Sequence, residues 1–296
     1  MSRARRCATL GSAVPELPEV ETVRRGIESR AVGRPIVSVE ASGRRTVRRF
    51  GRESLIDGLT GATIVAAHRH GKYLLCPLDT GFAVMIHLRM SGRVLIASTT
   101  SPRPPHTHVS LEFAPSVDGS VDELRFVDPR TFGEVVVFDP ARADEQIPEL
   151  GRLGPDALDP ALDPSVLRAQ LGDRRTTIKA ALLDQRVVAG IGNIYSDEIL
   201  HRARIGPRRV AGRLSPDSIG RLHASMREVL ARAVTRGGST LDDTQYVNVD
   251  GAVGAFQDEH RVYGRAGAMC RSCGMARISR AVVAGRTTCW CRRCQR

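Results

Sequence analysis

The most reactive pairing in this chain is Pro15 followed at once by Glu16, in the stretch Pro15-Glu16-Leu17-Pro18-Glu19-Val20-Glu21. A proline with a free α-amino group is a secondary amine with a pKa near 8, so roughly a tenth of it is neutral and nucleophilic at pH 7. Attack on the anomeric carbon of a sugar would give an iminium ion with no N–H to lose. Such an ion stays cationic and draws electrons. Glu16, one peptide away, is placed to move protons at the same carbon. A plainer reading stays open beside it: Pro18 is the first residue of a helix, and the acids around it favour the helix's positive end. The two are compatible, since a helix is one way to bury and aim a chain end.

The cations narrow the partner. The chain of 296 residues carries a formal net charge of +12, which suggests a polyanion, nucleic acid first and anionic membrane second. No run is long or apolar enough to span a bilayer and no signal-peptide core is visible, so a soluble cytosolic protein is expected. Of the 44 basic residues only Lys72 and Lys179 are lysine. A GC-rich genome accounts for the arginine bias. Where that bias leaves a lysine, the position is expected to need a point ammonium that can release its proton, which arginine cannot do.

Seven cysteines are present. Cys7 and Cys76 are isolated and read as structurally ordinary. Cys270-x-x-Cys273 and Cys291-x-x-Cys294, seventeen residues apart, offer four thiolates, the closed tetrahedral set of a structural zinc ion, Zn2+. Cys289 falls outside that spacing and is read as packing. From Arg261 to the end there are nine arginines and no acid. A metal-held β-turn with that charge is a phosphate or groove binder; a solvated basic tail would have no use for a rigid scaffold.

Three weaker signals complete the set. Gly190-Ile191-Gly192-Asn193-Ile194-Tyr195 lets backbone come close to a ligand at a helix start, or is an ordinary helix–helix turn. His87-x-x-Met90-Ser91-Gly92 closes a strand, with Met90 a core residue by base rate. Asp128-Pro129-Arg130-Thr131-Phe132-Gly133 is a turn that could wedge into a base step, or a plain surface turn.

The elements that must position these residues follow from periodicity. Val20, Val23 and Ile27 share one face of a helix that starts at Pro18 and ends by Gly33 and Pro35. Short apolar runs follow at Ile36–Val39, Ala62–Ala67, Tyr73–Cys76, Phe82–Leu88, Arg93–Ala97, Val109–Phe113, Leu124–Val127 and Glu134–Phe138. They predict a two-sheet β domain of about 125 residues. Gly151–Pro164 reads as a linker. Helices are expected over Val166–Leu171, Thr176–Gln185 and Asn193–His201. A long helix capped by Ser215 and Pro216 should run to Arg236 and stop at Gly237-Gly238. Residues 239–260 are expected to be a loop.

Taken together, the Pro15–Glu21 stretch, Lys72-Tyr73-Leu74-Leu75, His87–Gly92, Asp128–Gly133, Gly190–Tyr195, Val262-Tyr263-Gly264-Arg265 and the four-cysteine finger resemble the bacterial formamidopyrimidine-DNA glycosylase family. These are bifunctional enzymes that excise oxidised purines. Leu17 stands where the sister endonuclease VIII group typically has glycine, which favours the oxidised-purine branch. The resemblance runs from Pro15 to the end and leaves 1–14 as an extension or a mis-assigned start. It implies an α+β multidomain protein: an N-terminal helix plus two-layer β-sandwich (15–140), a helix–two-turn–helix domain with a lesion loop (141–260) and a C-terminal zinc finger (261–296). It implies that Pro15 forms the Schiff base, Glu16 protonates the opening sugar, Lys72 contacts a flanking phosphate and donates a proton in β-elimination, and Arg286 at the finger tip assists δ-elimination. Asn193 and His87 would hold phosphates, with His106 and Arg175 as further DNA contacts. Met90, Arg130 and Phe132 would fill the hole left by the everted base, and Lys179 would lie near the lesion pocket. The implied partner is damaged double-stranded DNA, met by a monomer in the bacterial cytoplasm, with no membrane. Two residues depart from the pattern. Thr131 stands where many members carry a second arginine, and Ala255 lacks the aromatic often seen in the lesion-capping loop.

Other readings are a non-catalytic damaged-DNA-binding protein, an endonuclease VIII-like glycosylase for oxidised pyrimidines, and a zinc-ribbon RNA binder. The last is disfavoured by an aromatic content of 4%, too low for stacking single-stranded bases. The first turns on the segment 1–14. Within the full chain Pro15 is an amide nitrogen, its lone pair held in resonance with the Val14 carbonyl. A start at Val14, since the valine codon GTG often serves as an initiator in a GC-rich genome, followed by methionine removal, would free the Pro15 amine. A transit peptide is the rival explanation, given Arg3, Arg5 and Arg6.

Overall fold

The computed structural model describes residues 14–241 and 246–296. Cys7 and the arginines of the extension lie outside the described residues, as does part of the 239–260 loop. Helix α1 (Leu17–Arg30) starts with Pro18 in its first turn, and the Glu19 carboxylate accepts the Glu16 N–H at 2.9 Å. Its Val20, Val23 and Ile27 are fully buried, as their spacing predicts. Strand β1 (Ile36–Ala41), helix α2 (Gly51–Leu59) and strands β2 (His68–His70), β3 (Tyr73–Pro77), β4 (Ala83–His87), β5 (Arg93–Ser98), β6 (Thr107–Phe113), β7 (Asp122–Val127) and β8 (Glu134–Phe138) follow. They form two antiparallel four-stranded sheets, ordered β1-β6-β7-β5 and β2-β3-β4-β8. One core joins them: Val94, Phe113 and Phe126 of the first sheet share it with Leu74, Ile86 and Val135 of the second.

Two local expectations change. Ala62–Ala67 is not a strand; it makes isolated bridges, Pro35 with Thr63 and Ile64 with Leu78, and regular pairing begins only at His68. Helix α2 has no counterpart in the sequence reading. Its N-cap Phe50 offers no side-chain cap and only Leu55 and Leu59 are buried, so it lacks both a start signal and a clear apolar stripe.

After two single-turn helices, α3 (Ala143–Gln146) and α4 (Pro148–Gly151), come α5 (Pro164–Leu171), α6 (Ile178–Leu183), α7 (Asn193–Arg202) and α8 (Pro216–Thr235). Ser215 caps α8 through the Ser218 N–H, and Gly237 and Gly238, both at positive φ, end it. Leu17 packs with Ile194, Tyr195, Leu222 and Met226 in the helical core, while Val20, three residues on, belongs to the sheet core. Helix α1 therefore straddles the two domains, and this sets Glu16 at their junction. The last part folds as a hairpin, β9 (Ser279–Val283) and β10 (Arg286–Trp290). Its two-residue loop, Ala284-Gly285, has φ of 52° and 69°, the mirror-image turn that suits strand twist. No helix among the described residues is long and apolar enough to cross a membrane.

Candidate active site and nucleic-acid interface

Glu16 lies against the first turn of α7. Its carboxylate accepts the N–H groups of Gly192 at 2.7 Å, Ile194 at 2.8 Å and Tyr195 at 3.3 Å. A helix start supplies such donors and a favourable field. Gly192 is required by the approach: a Cβ there would sit 2.4 Å from the Glu16 Cδ. Burial still dominates and raises the Glu16 pKa above the ordinary carboxylate value, against the pull of Lys72 and the three N–H groups. A carboxyl so poised can hold a proton and give it up. Glu19 stands behind it, accepting from Tyr195 Oη at 2.6 Å and the Ser239 N–H at 2.7 Å. Burial first, then the Glu16 charge, push Glu19 up to about 7.

Lys72 occupies the turn between β2 and β3. Burial draws its pKa down, the carboxylates of Glu16 and Glu19 oppose this, and the Arg286 guanidinium adds to it. Four charged groups from three parts of the chain thus meet at one point. Glu16, Lys72 and Arg286 border a cleft of about 1120 Å³ between the sheet domain, the helical domain and the finger, with Glu19 behind it. The sheet domain contributes Lys72, His87, Met90 and Phe132 to its lining, and Glu16, Asn193 and Arg286 line it as well. Val14 also lines it, and Pro15 is buried beside it. Arg45, Arg48, Arg89 and Arg152 add a basic rim. Nothing in their spacing distinguishes these four from the other arginines of the chain.

His87 is buried, packs edge-on to Tyr73 at 4.3 Å, and accepts the Arg89 N–H on Nδ1 at 3.0 Å. Burial holds its pKa well below the ordinary value, so the ring is neutral and its proton is on Nε2, a donor suited to an anion. Asn193 Nδ2 donates to the Thr287 carbonyl at 3.1 Å, which ties α7 to the finger. Arg130 is stacked over the exposed Phe132 ring, 5.0 Å from its centroid. Asp128, which the sequence marks only as the start of a turn, is fully buried beneath it and accepts from Ser91 Oγ at 2.5 Å and the Gly133 N–H at 2.7 Å. It thereby locks the Met90 and Phe132 loops together. His106, Arg130 and Arg175 are exposed and lie outside the cleft lining.

Lys179 requires a correction. Expected as a DNA contact near the lesion pocket, it is fully buried, and its ammonium is held by Asp197 at 2.5 Å. The other Asp197 oxygen accepts the Cys289 N–H at 2.8 Å. An ammonium sealed in this way serves the joint between α7 and the finger and does not reach solvent.

The Sγ atoms of Cys270, Cys273, Cys291 and Cys294 lie within 4.8 Å of one another, and two of their pairs are 3.8 Å apart. Tetrahedral coordination with metal–sulfur bonds of about 2.3 Å puts sulfurs about 3.8 Å apart, so the set fits a metal ion. Cys289 stands outside it.

A carboxyl able to hold a proton, a cation lining the same cleft and a basic rim define a protein that takes a polyanionic ligand and has acid–base groups at the point of contact. Comparison with known proteins agrees. Residues 14–135 match the model of the formamidopyrimidine-DNA glycosylase N-terminal domain, and residues 153–245 that of its H2TH domain. The chain is 45% identical over 284 residues to the formamidopyrimidine-DNA glycosylase of Geobacillus kaustophilus, covering 96% of this chain and 100% of that one. It is 43% identical to that of Salinispora arenicola, covering 95% and 96%. A solved complex of a Lactococcus lactis Fpg mutant with Fapy-dG-containing DNA superposes with a TM-score of 0.85 at 38% identity, covering 95% of this chain and 100% of that one. The Lactococcus lactis Fpg complex with abasic-site DNA gives 0.83 at 38% identity, covering 95% and 99%. The chain belongs to the formamidopyrimidine-DNA glycosylase family.

Proposed function

We propose that this protein excises oxidised purines, ring-opened formamidopyrimidines and 8-oxoguanine, from duplex DNA and then cuts the strand at the abasic site by β,δ-elimination. The observation that carries this reading is Glu16, a buried carboxyl on the first N–H groups of α7, next to Pro15 and in the same basic cleft as Lys72. The Pro15 nitrogen attacks C1′ and the base leaves. Glu16 gives its proton to the ring oxygen as the sugar opens, and the resulting iminium acidifies the C2′–H. Loss of that proton to solvent breaks the C3′–O bond and expels the 3′ phosphate, with Lys72 as proton donor to the leaving oxygen; loss of the C4′–H to solvent then breaks the C5′–O bond and expels the 5′ phosphate, assisted by Arg286. Eversion of the base costs a few kcal/mol, offset by Met90, Arg130 and Phe132 filling the gap and by His87, Asn193, His106 and Arg175 holding phosphates. Lys179 acts from behind, through Asp197. The four thiolates of Cys270, Cys273, Cys291 and Cys294 hold one structural zinc ion, which keeps the hairpin bearing Arg286 in place.

This chemistry needs the Pro15 nitrogen free. Peptide-linked Val14 stands in the cleft beside Glu16, which favours a second reading for the full chain: a damaged-DNA binder without catalysis. Borohydride trapping on lesion duplex separates them. A protein expressed from a Met-Pro15 start, with the methionine removed, is expected to give a covalent adduct, and the full 296-residue chain none unless clipped. No adduct from either form would refute the imine route.

A further inference from the structure

We infer that Asp156, paired with Arg69, is a positioning residue that sets Lys72 against Glu16. The inference rests on the proposed chemistry of those two groups. Arg69 is the middle residue of β2, and its side chain is only 7% exposed. It donates through Nε to Glu21 Oε2 of α1 at 3.1 Å and through Nη2 to Asp156 Oδ1 at 3.0 Å, and its Nη1 pairs with Asp156 Oδ2. Nη1 also donates to the Gly71 carbonyl at 2.9 Å, and the Gly71 N–H donates to Asp156 Oδ2 at 2.7 Å. Gly71 has φ of +58°, and a Cβ there would lie 2.9 Å from that of Ala189. Every backbone hydrogen-bonding group of the residue before Lys72 is therefore fastened to this one ion pair.

The segment around Asp156 also holds the entry to α7. Its neighbours clasp Ala189: the Ala189 N–H donates to the Pro155 carbonyl at 2.9 Å, and the Ala157 N–H to the Ala189 carbonyl at 3.1 Å. Ala189 leads directly into Gly190-Ile191-Gly192, whose last N–H binds Glu16. Asp156 belongs to the helical domain and Arg69 to the sheet domain, so the pair is the joint across which the cation and the acid keep their spacing. A buried pair of this kind gives little net stability against an apolar pair, but it fixes geometry, and loss of one partner leaves the other charge buried and alone. Proton transfer is sensitive to placement at the scale of an ångström.

The test is a double-mutant cycle with Asp156→Asn and Lys72→Ala, in protein with a free Pro15 amine on duplex carrying a preformed abasic site. Asp156→Asn is expected to slow strand cleavage by about 10- to 100-fold, while borohydride trapping, which needs only Pro15, changes by less than about threefold. Asp156→Asn with Lys72→Ala should cleave within about twofold of Lys72→Ala alone, because the first acts through the second. Unchanged cleavage in Asp156→Asn, or losses that multiply in the double variant, would overturn the inference. If Asp156→Asn does not fold by circular dichroism, Asp156→Glu, which keeps the charge and moves it, carries the same cycle. If neither folds, the pair serves stability and the positional claim fails. Absence of trapping in the parent protein would instead strike the imine reading itself.

Discussion

Helix α7 holds two glutamates in the same kind of grip. Glu16 lies against its first turn and accepts three N–H groups from Gly192, Ile194 and Tyr195. Glu198 projects from its middle and accepts three from Arg261, Val262 and Tyr263, at 2.9, 2.9 and 2.8 Å. Both are buried, and burial raises the pKa of both against the pull of those donors. What differs is the far side of each carboxyl. Glu16 faces Lys72 and the cleft; Glu198 borders a separate pocket, and the cations acting on it are Arg261 and Arg265, which belong to the very segment it binds. The same three-donor nest is thus a proton store in one place and a staple between helix and finger in the other. Donor count and pKa direction do not separate acid from staple; access to the cleft and an independent cation do.

Glu16→Gln should break the comparison most sharply. The amide keeps the shape but cannot give a proton. Base excision is expected to fall by about 10²- to 10⁴-fold, the usual worth of a positioned acid. Cleavage of a preformed abasic site persists, because Pro15 still condenses with the open aldehyde. Single-turnover assays on the two substrates would read this, and equal loss on both would place Glu16 outside the sugar-opening step.

Glu198→Gln should do the reverse. Removing the charge weakens three hydrogen bonds and turns an N–H donor toward another, so stability should drop by about 2 kcal/mol. Base excision per folded molecule should stay within about threefold, and zinc content at one per chain. Denaturant unfolding and metal analysis check it. A collapse of excision at full stability would make Glu198 part of the chemistry.

Much of this contrast could be read from residue order, and the rest could not, for a physical reason. Val20, Val23 and Ile27 announce α1, Ser215-Pro216 announce α8, and the two cysteine pairs announce the finger, because each signal is local. Glu16 and Lys72 stood out by rarity or position. Lys179 stood out equally, yet its ammonium faces Asp197, a contact made through the fold and not through spacing. Arg69 and Asp156 are 87 residues apart, and one arginine in an arginine-rich chain carries no mark. Glu198 reads as one more acid in an amphipathic helix until residues 261–263 are folded over it. Long-range polar contacts of this kind decide which glutamate is the acid, and no local pattern encodes them.

The smallest effect concerns Glu19, which couples Glu16 to the base of the 239–260 loop through Tyr195 and Ser239. Its carboxyl titrates near 7, raised by burial and by Glu16. A folded-state pKa above the unfolded value means that the native state binds the extra proton, so this contribution is complete below about pH 4.5 and is lost as pH rises through 7. Between pH 6 and 8 it should lower the unfolding free energy by about 1 kcal/mol, since one pKa unit corresponds to about 1.36 kcal/mol. Glu19→Gln removes the titrating group, and the slope of stability against pH over that range should flatten by this amount. The variant also loses one acceptor, because its amide nitrogen meets the Glu16 N–H or the Tyr195–Ser239 pair. A uniform drop should therefore accompany the flatter slope. Urea denaturation at pH 6, 7 and 8 measures both. An unchanged slope would show that Glu19 does not titrate across this range. The proton that moves in this corner of the fold at neutral pH would then belong to Glu16 alone, and the difference between the acid and the staple would lie in that one carboxyl.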